Sequence, residues 1–162
     1  MGYSITIGNA KPKYPDPSDG DEGVFDWEVD TAESPDAPDI PNDFQPKESN
    51  RRPSYSVWAD FARETGLHEL FFDRDYGMMR SHPGVAPITK ARCAEVRNAL
   101  TRYKAENPAA IARFCTPIPG SPFEVENEPN AEKNATLARL TWLDFWFHWA
   151  LKNCEHPAIE NG

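Results

Sequence analysis

Only three cysteines, Cys93, Cys115 and Cys154, occur in the sequence, and no CxxC pairs any of them. An odd set without paired spacing excludes a disulfide framework and the usual structural zinc site. Each cysteine lies in or beside an apolar pattern, so buried thiols in a reducing compartment are expected. No stretch approaches the roughly 20 apolar residues of a membrane span, and the N-terminus lacks a basic region followed by an apolar run. A cytoplasmic protein is the expectation. A Walker-type phosphate loop, a GxGxxG turn and a GxSxG elbow are all missing. Nucleotide binding and hydrolase chemistry therefore have no local signature, and no cofactor is called for. An enzyme would have to assemble its site from residues distant in the chain.

Positive charge is scarce at one end. Residues 1–50 carry twelve Asp and Glu against three Lys and no Arg, whereas residues 51–162 carry fourteen acids and fourteen bases, so the net charge of -9 sits in the first third. Such acidity repels phosphate backbones and disfavours direct nucleic-acid binding by this segment. It suits a protein partner with a basic surface. An apolar fraction of 39% beside 16 prolines indicates one compact part joined to a proline-rich part. The division expected is a single domain, 1–162, with an acidic proline-rich arm over 1–52 that carries a β-hairpin and a helical core over 53–157.

The most apolar stretch lies near the end, Leu137 to Cys154, and holds three of the five tryptophans. At about 100° per residue Leu140, Leu143, Phe147, Ala150 and Leu151 share one face, and Trp142, Phe145, Trp146 and Trp149 cover much of the rest. Thr141, Asp144, His148 and Lys152 form a narrow polar stripe. A helix from Ala131 to Asn153, wrapped by other elements, should be the fold's centre; were it exposed, the aromatics would form a binding face or a homodimer seam.

Upstream, Tyr3, Ile5 and Ile7 alternate with polar residues as a strand that Gly8-Asn9 should stop. Residues 10–22, with Pro12, Pro15 and Pro17, read as a loop. Phe25, Trp27 and Val29 mark a second strand, antiparallel to the first. Residues 31–52 read as an extended or mobile segment with Ile40 and Phe44 as anchors. Ser54 and Gly66 bracket a helix over 55–65, and Leu67–Arg80 favours a helical turn over a hairpin. Residues 81–87 should be a loop, and Thr89 should cap a helix over 90–106. Pro108 should begin a short helix with Ile111 and Phe114 turned inward, residues 116–130 should be a loop, and Pro157 should end the fold. The fold class expected is α+β, mainly helical, with three principal helices, an N-terminal two-stranded antiparallel hairpin and long proline-rich loops.

Asp144 and His148, four apart, can hydrogen-bond, and an oriented His could act as a general base, with His82 as a further candidate in a small hydrolase or metal-assisted enzyme. A polar contact satisfied within an aromatic core is the simpler reading, and on balance an enzyme is disfavoured. Asp73, Asp75 and Gly77 begin like a calcium loop, but position twelve is Gly84 rather than Glu. Cys154 and His156, with His68 or His82, supply one close pair where zinc usually needs two. No metal is expected. Arg92, Arg97, Arg102 and Lys104 form the densest basic surface, on the helix over 90–106. The acids Asp16, Asp19, Asp21 and Glu22 of the same chain could dock there at high effective concentration.

Gly2-Tyr3-Ser4-Ile5-Thr6-Ile7-Gly8, Pro53-Ser54-Tyr55-Ser56-Val57-Trp58-Ala59-Asp60-Phe61, His82-Pro83-Gly84 and the Trp-rich helix ending Asn153-Cys154-Glu155 together resemble small uncharacterised proteins of tailed bacteriophages and prophages. The resemblance brings no activity and no catalytic residue with it. It implies a phage product acting on a host or virion component. The function expected is a non-enzymatic interaction protein whose acidic segment binds a basic protein surface, for instance to inhibit a host nucleic-acid-handling enzyme.

Overall fold

In the computed structural model, which describes residues 1–13, 26–38, 47–114, 117–118, 120–125 and 129–162, the chain is a mixed α/β fold of four helices and a curled antiparallel sheet. Its longest helix, Ala131–Asn153, buries Leu137, Ala138, Leu140, Trp142, Leu143, Trp146, Phe147 and Ala150. A surface this apolar has to be covered on more than one side. The helices Tyr55–Thr65 (α1) and Lys90–Glu106 (α3) and one face of the sheet cover this one (α4), and the short helix His68–Phe72 (α2) packs on α1.

The bounds of α1, α3 and α4 agree with the sequence reading; α1 and α3 carry local capping chemistry, whereas α4 begins after Asn130 without a side-chain cap. Ser54 Oγ accepts from Val57 N at 3.3 Å, and Thr89 Oγ1 accepts from Arg92 N at 3.2 Å. Gly66, at φ 74°, ends α1 in the left-handed conformation, and Leu67 donates its amide to Ala62 O at 2.8 Å while its side chain is buried. The helical turn expected after Leu67 is α2.

Three helices meet at one carboxylate. Glu64 of α1 accepts from Tyr103 Oη of α3 at 2.7 Å and from Thr136 Oγ1 of α4 at 2.9 Å. Burial, and then the Glu64 carboxylate, push the Tyr103 phenol well above its ordinary value of 10.0. A group whose folded value is raised contributes stability that is complete below its unfolded value and lost as pH rises through the folded one. Stability should therefore fall as pH climbs above about 10. In urea unfolding at pH 8 and pH 11, Tyr103→Phe should lose less stability across that interval than the parent; an equal loss in both would mean that Tyr103 is not the group responsible.

The sheet is where sequence and structure part. Its strands are Ile5–Lys13 (β1), Asp26–Val29 (β2), Asn50–Arg51 (β3), Gly84–Pro87 (β4) and Pro157–Asn161, in the order β2-β1, then the C-terminal strand, then β4, with β3 also on β1. Two further short strands, Pro117–Ile118 (β5) and Ser121–Val125 (β6), pair with each other, which makes the C-terminal strand β7. Antiparallel pairing of β1 with β2 is as expected, with Ala10 opposite Val29. Gly8-Asn9 does not stop β1, however, and Pro12 does not break it. A Cβ on Gly8 would lie 2.2 Å from Asp30 O, so this glycine marks the place where the chain leaving β2 crosses over β1. Ala10 donates its amide to His156 O at 2.8 Å. Two residues on, the nitrogen of Pro12 faces the same side, beyond the start of β7, where no ladder donor is needed.

Pro157 likewise begins a strand instead of ending the fold. β7 pairs with β1 through Ile7 and Ile159 and with β4 through Ala86 and Ile159, so it is an interior strand of the sheet. Residues 84–87, expected as loop, are its other neighbour. Residues 117–118 and 121–125, also expected as loop, form the β5–β6 hairpin around Gly120 at φ 86°. The short helix after Pro108 does not form. Ala110 N closes a single turn onto Asn107 O, and Ile111 donates its amide to Asn134 Oδ1 at 2.8 Å, which leaves the Ile111 side chain exposed.

Side chains alternate across the sheet. Ile5, Ile7 and Ile159 enter the main core, and Ala10, Val29 and Ala158 form a small second cluster on the opposite face with Val85. β2 lies near β4 and β7, which are not its ladder neighbours, and the Val29 amide donates to Glu160 Oε2 at 2.7 Å. That curl buries Val29 but leaves Trp27, which should have shared its face, 52% exposed. The described parts of 31–52 are held down: Ala37 joins the core and Ser49 is buried, its Oγ accepting from Ala32 N at 2.8 Å. Ile40, Phe44 and Phe25 lie outside the described residues.

Candidate functional site

The polar stripe of α4 does bring Asp144 and His148 together. His148 Nδ1 donates to the Asp144 carbonyl at 2.9 Å and lies 3.3 Å from Asp144 Oδ1. A third residue, Arg97 of α3, directs its Nε to the same carboxylate oxygen at 2.8 Å. The Asp144 side chain is 11% exposed, so its charge needs that guanidinium. The hydrogen bond to Asp144 in turn holds Arg97 charged more firmly, against the opposing effect of burial. Burial and the Asp144 charge also push the Cys93 thiol up, and Cys93 Sγ donates to Phe147 O at 3.5 Å. Asp144 thus clamps α3 to α4. His148 is 35% exposed and therefore not sealed among the aromatics. Its Nδ1 is committed to its own helix, and the carboxylate that would steady an imidazolium is shared with Arg97.

His82 belongs to a different group. Asn161 Nδ2 donates to Ser81 O at 2.9 Å, which fixes the side-chain amide and leaves Oδ1 as the acceptor for His82 Nδ1–H at 2.8 Å. His82 Nε2 then carries the lone pair, and Tyr55 Oη donates to it at 3.1 Å. Tyr3 stands edge-on to Tyr55 and to His82, with ring centroids 4.7 and 5.2 Å away. Asn161 is 1% exposed, whereas Tyr55 and His82 are exposed. This Tyr55–His82–Asn161 line ties the start of α1 to the end of β7. Sequence reasoning missed it because its anchor lies past Pro157.

The basic face of α3 divides. Arg92 donates to Pro87 O at 2.6 Å and to Tyr76 O at 2.9 Å, Arg102 donates to Thr65 O at 2.9 Å, and Arg97 is held by Asp144. Lys104 is exposed. Three of the four basic residues thus fasten neighbouring segments to α3. Asp16, Asp19, Asp21 and Glu22 lie outside the described residues. Among the described acids of the N-terminal segment, Glu28 and Asp30 flank Lys11 at 3.6 and 2.7 Å.

Asp73 is occupied as a turn cap, its Oδ1 accepting from Asp75 N at 2.9 Å and Tyr76 N at 2.8 Å. His68 stacks near Phe72, with centroids 5.2 Å apart, and His156 lies 3.9 Å from Glu155. Among the described residues no three His, Cys, Asp or Glu side chains converge as metal ligands. Of the cysteines, Cys93 is buried, Cys154 is half-buried, and Cys115 lies outside the described residues. Among the described residues no helix is long and apolar enough to cross a membrane. The chain matches no protein-family model, no curated protein and no solved structure.

Proposed function

We propose that this is a non-enzymatic interaction protein, whose acidic segment engages a basic surface on another protein. The observation that carries this reading is the confinement of the net charge of -9 to residues 1–50. The described residues support it in one respect: Arg92, Arg97 and Arg102, the obvious internal counter-charges, are spent on Pro87 and Tyr76, on Asp144, and on Thr65. Complementary charge of this kind speeds encounter and selects among partners more than it adds affinity. The resemblance to small phage proteins directs the proposal to a host or virion component. A host enzyme that handles nucleic acid is a fitting partner, since occupying its phosphate-binding surface would inhibit it.

Pull-down from host lysate should retain a basic protein at low salt and release most of it at high salt, as screening over about 8 Å at 0.15 M requires. Asp16→Asn, Asp19→Asn, Asp21→Asn and Glu22→Gln together should abolish retention. Binding that survives both the salt and the four substitutions would sink the proposal.

A further inference from the structure

The Tyr55–His82–Asn161 line has the order of a nucleophile, a base and a group that orients the base. Asn161 is 1% exposed and its amide is held by Ser81 O at 2.9 Å, so its Oδ1 fixes the His82 Nδ1–H at 2.8 Å and leaves the Nε2 lone pair directed at Tyr55. The Tyr55 hydroxyl meets that lone pair at 3.1 Å. An uncharged amide can fill the third place in such an arrangement. Both reacting groups can be reached from solvent, since Tyr55 and His82 are exposed.

The surroundings narrow the chemistry. Tyr3 packs edge-on against Tyr55 and His82, and Phe72 lies 6.4 Å from Tyr3 between centroids, which makes one side of the pair aromatic. A cleft of ≈ 540 Å³, lined by Met1, Gly2, Tyr3, Ser4, Arg52 and Ser54, opens along Tyr3. Tyr3 is not a rival nucleophile, because burial, and then Tyr55, push its phenol up from the ordinary value of 10.0. Tyr3 and Asn161, which touch the pair, are both uncharged. Phosphoryl transfer calls for cations or metal ions at the reacting oxygens, whereas the carbonyl of a carboxylic ester is neutral until it is attacked. An acyl donor therefore suits the site, and a flat aryl leaving group suits its aromatic side.

We propose that Tyr55 is a covalent acceptor site, whose hydroxyl takes the acyl group of an aryl carboxylic ester with His82 as general base. Tyr55 Oη attacks the carbonyl carbon while its proton passes to His82 Nε2; the ester C–O bond then breaks, and the departing aryloxide recovers that proton as a phenol. The products are O-acyl-Tyr55 and the free phenol, and no oxidant or reductant is consumed. Asn161 acts through His82 and is a positioning residue. A single transfer marks the chain without turnover, so the site is compatible with an interaction protein and does not rest on the acidic segment.

The test is incubation of the full-length protein with p-nitrophenyl acetate near pH 7.5, following acetylation of each tyrosine by peptide mass spectrometry. Tyr76 is the internal control, being 78% exposed against 36% for Tyr55. Exposure alone would favour Tyr76. A positioned base contributes roughly 10²–10⁴-fold, so Tyr55 should instead be acetylated faster than Tyr76 by about tenfold or more, a comparison that needs no variant to fold. His82→Gln, at an exposed position, should bring Tyr55 down to the rate of Tyr76 or below while near-UV circular dichroism stays that of the folded chain. Tyr55→Phe should remove the fast acetyl group and leave the labelling of Tyr76 as it was. p-Nitrophenyl phosphate, with the same leaving group, should leave Tyr55 unmodified. Faster labelling of Tyr76, an acetyl group on the neighbouring Ser54 or Ser56 in place of Tyr55, a Tyr55 rate unmoved by His82→Gln in folded protein, or phosphorylated Tyr55 would each overturn the proposal.

Discussion

Chain truncated after His156 should fail to fold cooperatively. The five residues removed with Gly162 form β7, which supplies ladder partners to both β1 and β4. Without it, β1 loses one edge from Ile5 to Asn9 and β4 loses its named neighbour, so backbone groups on both strands need new partners. Ile159 and Asn161, each 1% exposed, also leave, and with Asn161 goes the anchor of His82. Domains of this size have about 5–15 kcal/mol in hand, and losing an interior strand is of that order. Urea unfolding followed by far-UV and near-UV circular dichroism should show a broad, non-cooperative change. Ile159→Ala gives a graded version, with an expected cost of about 2–5 kcal/mol. A truncated chain that unfolds in one sharp transition near the parental midpoint would show that β7 is dispensable.

Trp146→Ala should cost about 3–5 kcal/mol, the transfer and cavity cost of a large enclosed aromatic. Trp146 is 0% exposed and stands edge-on to Phe145 and Trp149, at 5.0 and 5.2 Å between centroids, so its removal empties the middle of an aromatic row. Among the described residues its indole N–H has no acceptor. Trp146→Phe consequently forfeits no hydrogen bond and should cost well under the alanine value. Both are read from equilibrium urea unfolding at unchanged m-value. A loss below about 1 kcal/mol for alanine would mean that the ring is not enclosed.

The local chemistry of the chain accounts for the helices. Ser54 and Thr89 as caps, Gly66 at a left-handed stop and the apolar circumference of Leu137–Cys154 act within a few residues of where they stand, so periodicity and capping suffice to read them. The pairing of Asp144 with His148 was legible for the same reason, being a matter of one helical turn. Arg97 was visible as a basic residue, but not as the partner of Asp144, because the two lie 47 residues apart.

The sheet depends on partners that no local pattern names. Proline and glycine were read as terminators at Gly8, Pro12 and Pro157, and each acts locally as expected: no amide is donated, or no side chain is present. Whether that interrupts a strand depends on what lies opposite. Gly8 admits the Asp30 backbone, Pro12 faces a side with no ladder to complete, and Pro157 starts a strand. The same holds for the unforeseen Tyr55–His82–Asn161 line. Tyr55, His82 and Asn161 come from α1, the turn before β4 and β7. Sequence alone determined the three longer helices, the Ser54 and Thr89 caps and the one-sided distribution of charge. Tertiary structure alone decided that β7 closes an interior position of the sheet, because pairing between strands so far apart in the chain is set by burial and register rather than by local propensity.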